Sequence, residues 1–453
     1  MSYMNPYNFV PLREMDADAR QTPVWHSQYQ QGLHSGSFSG YIIALSPIFI
    51  LPTDTGDEES ILRIPLPPCN DGGKHIARQG KSHTVYWEFF HRGDKKPVIP
   101  GTTLKGVVRS VAEAAANSCL SVFAENFKPA KKNKLASPRY AEPFDLAKHI
   151  TKLHLQPCSH IIHEPGNIDT GLCPTCRLFG MPSASEGTSD TGELPDFFAG
   201  KVTFHDAHLV GEAEYDALKP LVELSSPDPT SYLYYTDWEE RIPRGRKFYY
   251  HQPEVRLDDY ASRALDLLEA YQSHGPNSPK FRSEVEGNDG LDRKVTVRPL
   301  KKSSVFKFQV DYQNLTDEEL NLLIFAMELD ARRPIEKASP GAYHKIGYGK
   351  PAGLGSAKIV IETWRLLNLE RRYQDEGSGW TRVIENRLEE RIMRHKKAFF
   401  DSHVNANLVS LRKHILAWPN KGMTFHYPVL TEFKAEGGYQ LPKPGREPKP
   451  KTP

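Results

Sequence analysis

The sequence predicts an α+β fold: a ferredoxin-like sheet whose loops carry long insertions, followed by a helical extension. Three observations carry this reading. The order strand, helix, strand occurs twice along residues 40–362. Apolar residues switch between period two and helical spacing from one segment to the next. Finally, 36 prolines and 32 glycines in 453 residues call for long and numerous loops. At 38% hydrophobic and 25% charged, the composition is globular, and the length fits two or three domains, or one domain with large insertions.

The first strand is read at Tyr41–Leu51, β-branched and aromatic, with Pro47 marking an edge or a bulge. An acidic loop follows, with Asp54, Asp57, Glu58 and Glu59, and residues 65–84 are rich in proline and glycine. Thr84–Phe90 reads as another strand. Pro100-Gly101-Thr102-Thr103-Leu104-Lys105-Gly106, with Arg109, leads into a helix over Val111–Phe123. Residues 125–157 form a basic, insertion-like loop, and Gly200–Ala207 is a strand. Ser304–Tyr312 alternates with period two, and Thr316 with Glu319 forms a capping box that opens a helix over Leu320–Leu329. A glycine-rich run at 341–355 precedes the strand Ser356–Ile361. Residues 381–417 read as helical. The expected organisation is an arm at 1–39, a core at 40–363 and a helical extension at 364–437. A Pro/Lys tail at 438–453 reads as disordered. Insertions fall at about 52–84, 125–199 and 212–294.

Three of the five cysteines fall at Cys158, Cys173 and Cys176, with His160 and His163 between them. A Cys-x-x-Cys turn offers two thiolates to one tetrahedral ion, and a nearby Cys or His completes such a site. The expected zinc ligands are Cys158, Cys173, Cys176 and His163, with His160 or Cys119 as the alternative fourth. Four protein ligands leave no open position, so the zinc would be structural. A redox Cys-x-x-Cys competes, but no thioredoxin-like strand precedes it. An odd cysteine count at metal spacing argues against a secreted disulfide scaffold.

Net charge is +2, so the local distribution of charge has to decide whether a nucleic acid is a partner. Gly101, Thr102 and Thr103 at a helix start, with Lys105 and Arg109, suit a phosphate; a loop and a buried helix start is the other reading. Arg244, Arg246 and Lys247 lie in a loop-rich region where cations are interleaved with aromatics, among them Tyr232, Tyr234, Tyr235, Phe248, Tyr249 and Tyr250, as a phosphate backbone with stackable bases requires; tyrosines in strand pairs beside solvated arginines are the other reading. Lys345, Gly347, Lys350 and Gly353 lie in the glycine run, which lacks the ending of a Walker loop. The N-terminus has no signal-peptide pattern, and no run of about 18 apolar residues exists to span a membrane, so a cytoplasmic protein is expected.

Four segments together carry a resemblance. Ile99-Pro-Gly101-Thr-Thr-Leu-Lys105-Gly106-Val-Val-Arg109, Cys176-Arg-Leu-Phe-Gly180, Gly200-Lys-Val-Thr-Phe-His-Asp206-Ala207 and Gly347-Tyr-Gly349-Lys350-Pro-Ala-Gly353-Leu-Gly355 occur in that order. They are similar to motifs of the RAMP superfamily of CRISPR proteins. With Asn5-Pro-Tyr-Asn-Phe9-Val-Pro-Leu12, the chain resembles a backbone subunit of a type III (Csm/Cmr-like) effector complex. The resemblance implies an RRM-derived ferredoxin-like RAMP core, to which the cysteine spacing adds a zinc-binding segment. It also implies contact with CRISPR guide RNA, complementary target RNA, sibling RAMP-type subunits and a large signalling subunit. Its thumb loop would match residues 225–256. Guide phosphates would be held by Lys105, Arg109, Lys345 and Lys350.

Some such subunits cut the target by attack of a 2′-OH on the adjacent phosphate, using an acid after the first strand. Counting back from Ile99 reaches Ser82-His83-Thr84, which contains no acid. Counting forward from the first strand reaches Asp54 and Asp57. Asp54 or Asp57 would then be the carboxylate and His83 a proton-transfer group; the sequence names no divalent metal for the cut. A solvated acidic loop, a scaffold without cleavage and a stand-alone endoribonuclease acting on precursor guide RNA are the competing readings.

Overall fold

The computed structural model describes residues 5–52, 61–66, 69–71, 74–76, 82–120, 146–158, 161–181, 197–221, 236–237, 242–252, 261–285, 295–332, 341–372, 379–383, 385–403, 405–418 and 425. The N-terminal strand β1 (Tyr7–Val10) precedes the long β2 (His34–Ala44). Next come β3 (Ile61–Pro65), β4 (Ser82–Tyr86) and β5 (Val98–Ile99), which feeds α1 (Gly101–Ala115). The short α2 (Pro174–Phe179) is followed by β6 (Val202–Phe204), β7 (Ala207–Leu209), β8 (Lys219–Pro220) and β9 (Arg246–Tyr249). Then come α3 (Ala261–His274), α4 (Pro279–Val285), β10 (Val295–Val297), β11 (Val305–Leu315) and α5 (Asp317–Glu328). The last elements are β12 (His344–Lys345), β13 (Ser356–Leu367), β14 (Trp380–Arg382) and α6 (Glu385–His403).

The main sheet runs β12–β13–β2–β11–β7–β5, with β6 also on β11 and β14 on β13. All these pairs are antiparallel. Helix α1 lies in the chain between β2 and β6, and α5 joins β11 to β13, so the strand, helix, strand order occurs twice. Period-two patterning explains the layers. Along β11, Phe306, Phe308, Val310 and Tyr312 are buried while Lys307 and Gln309 face solvent. Helix α1 buries Leu104, Val107, Val108, Val111 and Ala115, spaced for a single stripe. The capping box stands: the Thr316 hydroxyl accepts from the Glu319 amide at 3.2 Å, and the Thr316 amide donates to the Glu319 carboxylate at 3.0 Å.

Several boundaries differ from the sequence reading. Helix α1 begins at Gly101 rather than Val111, so the Gly-Thr-Thr-Leu-Lys segment is its opening stretch and not a preceding loop. Pro100 caps it with φ −56°, already suited to a helix entry. Strand β2 starts at His34 and ends at Ala44, where a bend at Leu45 and Ser46 precedes Pro47. The strand expected at Gly200–Ala207 is broken into β6 and β7, and the interruption at His205-Asp206 frees the Asp206 carboxylate to cap α1.

A second sheet, β8–β10–β4–β3, draws strands from two insertions far apart in sequence, with β10 parallel to β4. Ile64, Val85, Leu267 and Phe281 build a separate apolar cluster there with α3 and α4. The C-terminal segment joins the main core instead: Leu388, Ile392, Phe399, Leu411 and Ile415 pack with Phe325 and Trp364, and the Phe325 and Phe399 rings lie 4.7 Å apart. Among the described residues no helix is long and apolar enough to cross a membrane.

Candidate nucleic-acid interface and cysteine cluster

Three segments remote in sequence, together with Ile50, Leu51 and Leu416, line one groove of about 580 Å³. Helix α1 supplies Thr102, Thr103 and Ser110, β9 supplies Lys247 and Tyr249, and the glycine-rich run supplies Lys345, Gly347 and Lys350. Among the described residues no carboxylate lines the groove. Its lysines are crowded and poorly hydrated. Burial, reinforced by Lys350, pulls the Lys345 ammonium down to about 7. Burial alone brings Lys247 to about 8 and lowers Lys350. Lys345 donates to the Leu354 carbonyl at 2.9 Å, and Lys247 sits 3.8 Å over the Tyr7 ring and 5.2 Å from the Tyr249 ring. The described lining thus combines three lysines with the hydroxyls of Thr102, Thr103 and Ser110.

The glycine run is shaped by close approach. Gly347 has φ +84°, and a Cβ there would overlap the Phe49 carbonyl oxygen, so only glycine lets the run lie against β2's exit. Gly349 and Gly353 bracket a 3₁₀ turn at Lys350–Ala352 that presents Lys350. Gly353 itself is turned inward, its carbonyl accepting from Ser46 at 2.9 Å.

The remaining cations expected at RNA have other partners. Arg109 donates to Glu113 at 2.8 Å and to the Gly180 carbonyl at 3.2 Å. Arg246 donates to the carbonyls of Ser118 and, at 3.1 Å, Cys119, and lies 3.5 Å from Glu113. Arg244 is 6% exposed. Arg109 on α1 and Arg246 on β9 are thus engaged within the chain, and Arg244 is buried. The Gly101 amide donates to Asp206 at 2.8 Å, so that amide is not available to a phosphate. Lys105 is half-buried on α1 outside the groove lining, its ammonium lowered by burial and by Arg109.

Of the expected catalytic set, only His83 lies among the described residues. Asp54 and Asp57 lie outside the described residues. His83 is fully buried in β4, its Nε2 3.0 Å from the Thr296 hydroxyl, which makes it a core residue of the second sheet rather than a group open to RNA.

The sulfurs of Cys119, Cys158, Cys173 and Cys176 all lie within 4.8 Å of one another, and all four residues are buried. Zinc–thiolate bonds of about 2.3 Å at tetrahedral angles place sulfurs about 3.8 Å apart, and Cys119 lies 3.5 Å from Cys176 and 3.6 Å from Cys173. The donor set therefore fits one tetrahedral metal ion. The fourth member is Cys119, delivered by the end of α1, and not His163, whose Nδ1 lies 3.0 Å from the Thr170 carbonyl. His160 lies outside the described residues. Cys119 carried no spacing signal, since it stands far upstream of Cys158.

No curated protein matches the chain. Among solved structures, the crystal structure of Thermofilum pendens Csc2 is similar at 13% identity, covering 88% of this chain and 85% of that one with a TM-score of 0.28, a level at which no argument rests on the likeness. The family model described as the RAMP superfamily matches residues 42–358, a span that takes in the end of β2, α1, all of the groove lining but Leu416, the cysteine cluster and the start of β13: the chain belongs to the RAMP superfamily of CRISPR-associated proteins.

Proposed function

We propose that this chain binds guide RNA as a backbone subunit of a type III CRISPR effector complex, with the lysine groove holding phosphates of the guide. One observation carries the reading: Lys247, Lys345 and Lys350 converge with the hydroxyls of Thr102 and Thr103 on a groove whose described lining has no carboxylate. Such contacts grip a backbone and ignore base identity, as a subunit that accepts any guide must. The proposal includes sibling RAMP-type subunits, a large signalling subunit and complementary target RNA as partners. The ferredoxin-like description of the core is supported by the order β13–β2–β11–β7 with α1 and α5 as crossovers. Structural zinc is supported by the all-thiolate donor set.

Burial of His83 favours the scaffold reading over one in which His83 transfers protons during target cleavage. Cleavage keeps only Asp54 and Asp57 as its carboxylates. Binding of a labelled single-stranded oligoribonucleotide to the full chain tests the groove. Lys350→Ala and Lys345→Met each weaken it, and unchanged affinity in the double variant removes the groove from RNA binding.

A further inference from the structure

We infer that the ion held by Cys119, Cys158, Cys173 and Cys176 sets the RNA affinity of the lysine groove, acting through Arg246 and Arg109. The inference rests on the RNA-binding reading above and adds a control on that site. Its basis is a continuous set of contacts. Arg246 and Lys247 are adjacent in β9 and leave the strand in opposite directions. Arg246 reaches the Ser118 and Cys119 carbonyls, while Lys247 lies over Tyr7 and lines the groove. Arg109 makes the second link. Its Nη1 donates to the Gly180 carbonyl at 3.2 Å, at the C-terminal cap of the α2 helix that carries Cys176. Glu113 joins the two, 2.8 Å from Arg109 and 3.5 Å from Arg246. Arg109 and Glu113 stand on α1, whose first turns supply Thr102 and Thr103 to the groove. The cluster is therefore tied to two of the segments that line the groove, α1 and β9.

The contacts give the coupling its direction. An ion bound by the four sulfurs would hold the Cys119 backbone, whose carbonyl accepts from Arg246, and the α2 turn, whose Gly180 carbonyl accepts from Arg109. Loss of the ion would remove that restraint from both contacts. The Ser118–Cys119 backbone is no longer pinned by metal, so the anchor of β9 loosens and Lys247 leaves its place over Tyr7. Groups around a metal that orient its ligands commonly alter affinity or activity by about 10- to 100-fold when changed; the same scale is expected here for RNA.

The test uses the full chain, with metal counted by elemental mass spectrometry, RNA affinity measured by fluorescence anisotropy, and hydrogen exchange followed over residues 244–250. The loaded chain is expected to hold one ion. Removing it with a chelator lowers RNA affinity about tenfold and speeds exchange in that segment. Arg246→Gln keeps the ion, loses affinity by a similar factor and speeds exchange in the same segment. It serves alone if the ion-free chain unfolds. Absence of a bound ion after purification in zinc-supplemented buffer overturns the inference. So does an Arg246→Gln chain, or a folded ion-free chain, that binds RNA as tightly as the loaded protein while Lys350→Ala weakens binding. If Lys350→Ala also leaves binding unchanged, the RNA-binding reading itself fails.

Discussion

Two regions of this molecule bury positive charge in opposite ways. Around α5 the buried cations have acids beside them. Lys201 lies 2.8 and 2.9 Å from the two Glu319 oxygens, Arg412 lies 2.9 Å from Asp330, and Lys396 lies 3.6 Å from Glu328. In the groove, Lys345 and Lys350 are deeply placed with no carboxylate among the described lining residues. The first arrangement locks elements together: Arg412 ties the C-terminal segment to the end of α5. The second leaves a charge deficit that an RNA backbone would fill. Buried charge alone does not distinguish a brace from a binding site; the presence of a counter-ion within the chain does.

The sharpest break of this comparison is a pair of substitutions with opposite signs. Asp330→Ala takes the carboxylate away from the fully buried Arg412 and is expected to lower stability by about 3–5 kcal/mol, read as a loss of midpoint in urea. Lys345→Met removes a buried cation that has no lining carboxylate and is expected to hold or raise stability. Linkage sets the pH dependence. The folded ammonium titrates near 7, well below the unfolded value of about 10.4. Between those values the unfolded chain binds more protons, so the destabilising contribution is full below about pH 7 and fades as pH rises toward 10. The gain in melting temperature from Lys345→Met should therefore be largest at about pH 6 and small at about pH 10. A uniform loss at every pH would mean that Lys345 supports the fold as the α5 cations do.

The difference between the two regions was only partly legible in the sequence. The strands β11 and β13 and the Thr316/Glu319 cap were readable because period-two patterning and capping are local signals. The start of β2 was not: His34-Ser-Gly-Ser-Phe-Ser-Gly40 lacks β-branched residues. Its small side chains are needed because a Cβ at Gly36 would overlap the Arg365 carbonyl and crowd the Tyr312 hydroxyl, a demand made by partners far away in sequence. At the candidate site, Lys247, Lys345 and Lys350 could be named from motifs, but Arg109 and Arg246 could not be separated from them. A motif gives residue type, whereas direction depends on which neighbour takes the side chain. Cys119 reaches the cluster only because α1 ends beside it.

Next in size is the loss of RNA affinity. Lys350→Ala and Lys345→Met combined are expected to weaken RNA binding by at least about tenfold and to flatten the slope of log affinity against log salt. On a single strand the slope should fall by about 0.7 for each phosphate that the protein no longer neutralises. Reduced affinity with an unchanged slope would show that these lysines shape the groove without meeting phosphate. In the assembled complex, Asp54→Ala and Asp57→Ala are expected to leave guide binding untouched. Loss of target cutting in either variant would assign cleavage to that carboxylate, and full cutting in both would leave the subunit a scaffold.

The smallest effect is also the most diagnostic of the groove. An ammonium that meets a phosphate is held charged, so binding takes up protons between its free value and its raised value in the complex. With Lys345 near 7 and Lys247 near 8, RNA affinity should fall as pH rises from about 6.5 to about 8.5. Proton uptake on binding should appear as a buffer-dependent heat in calorimetry. Lys105, half-buried on α1 but outside the lining, serves as the contrast. Lys105→Ala should lower affinity little and leave that pH slope in place, whereas Lys345→Met should remove much of it. If Lys105→Ala flattened the slope instead, the phosphate site would have to lie along the outer face of α1. The absence of carboxylates from the described groove lining would then need a different explanation.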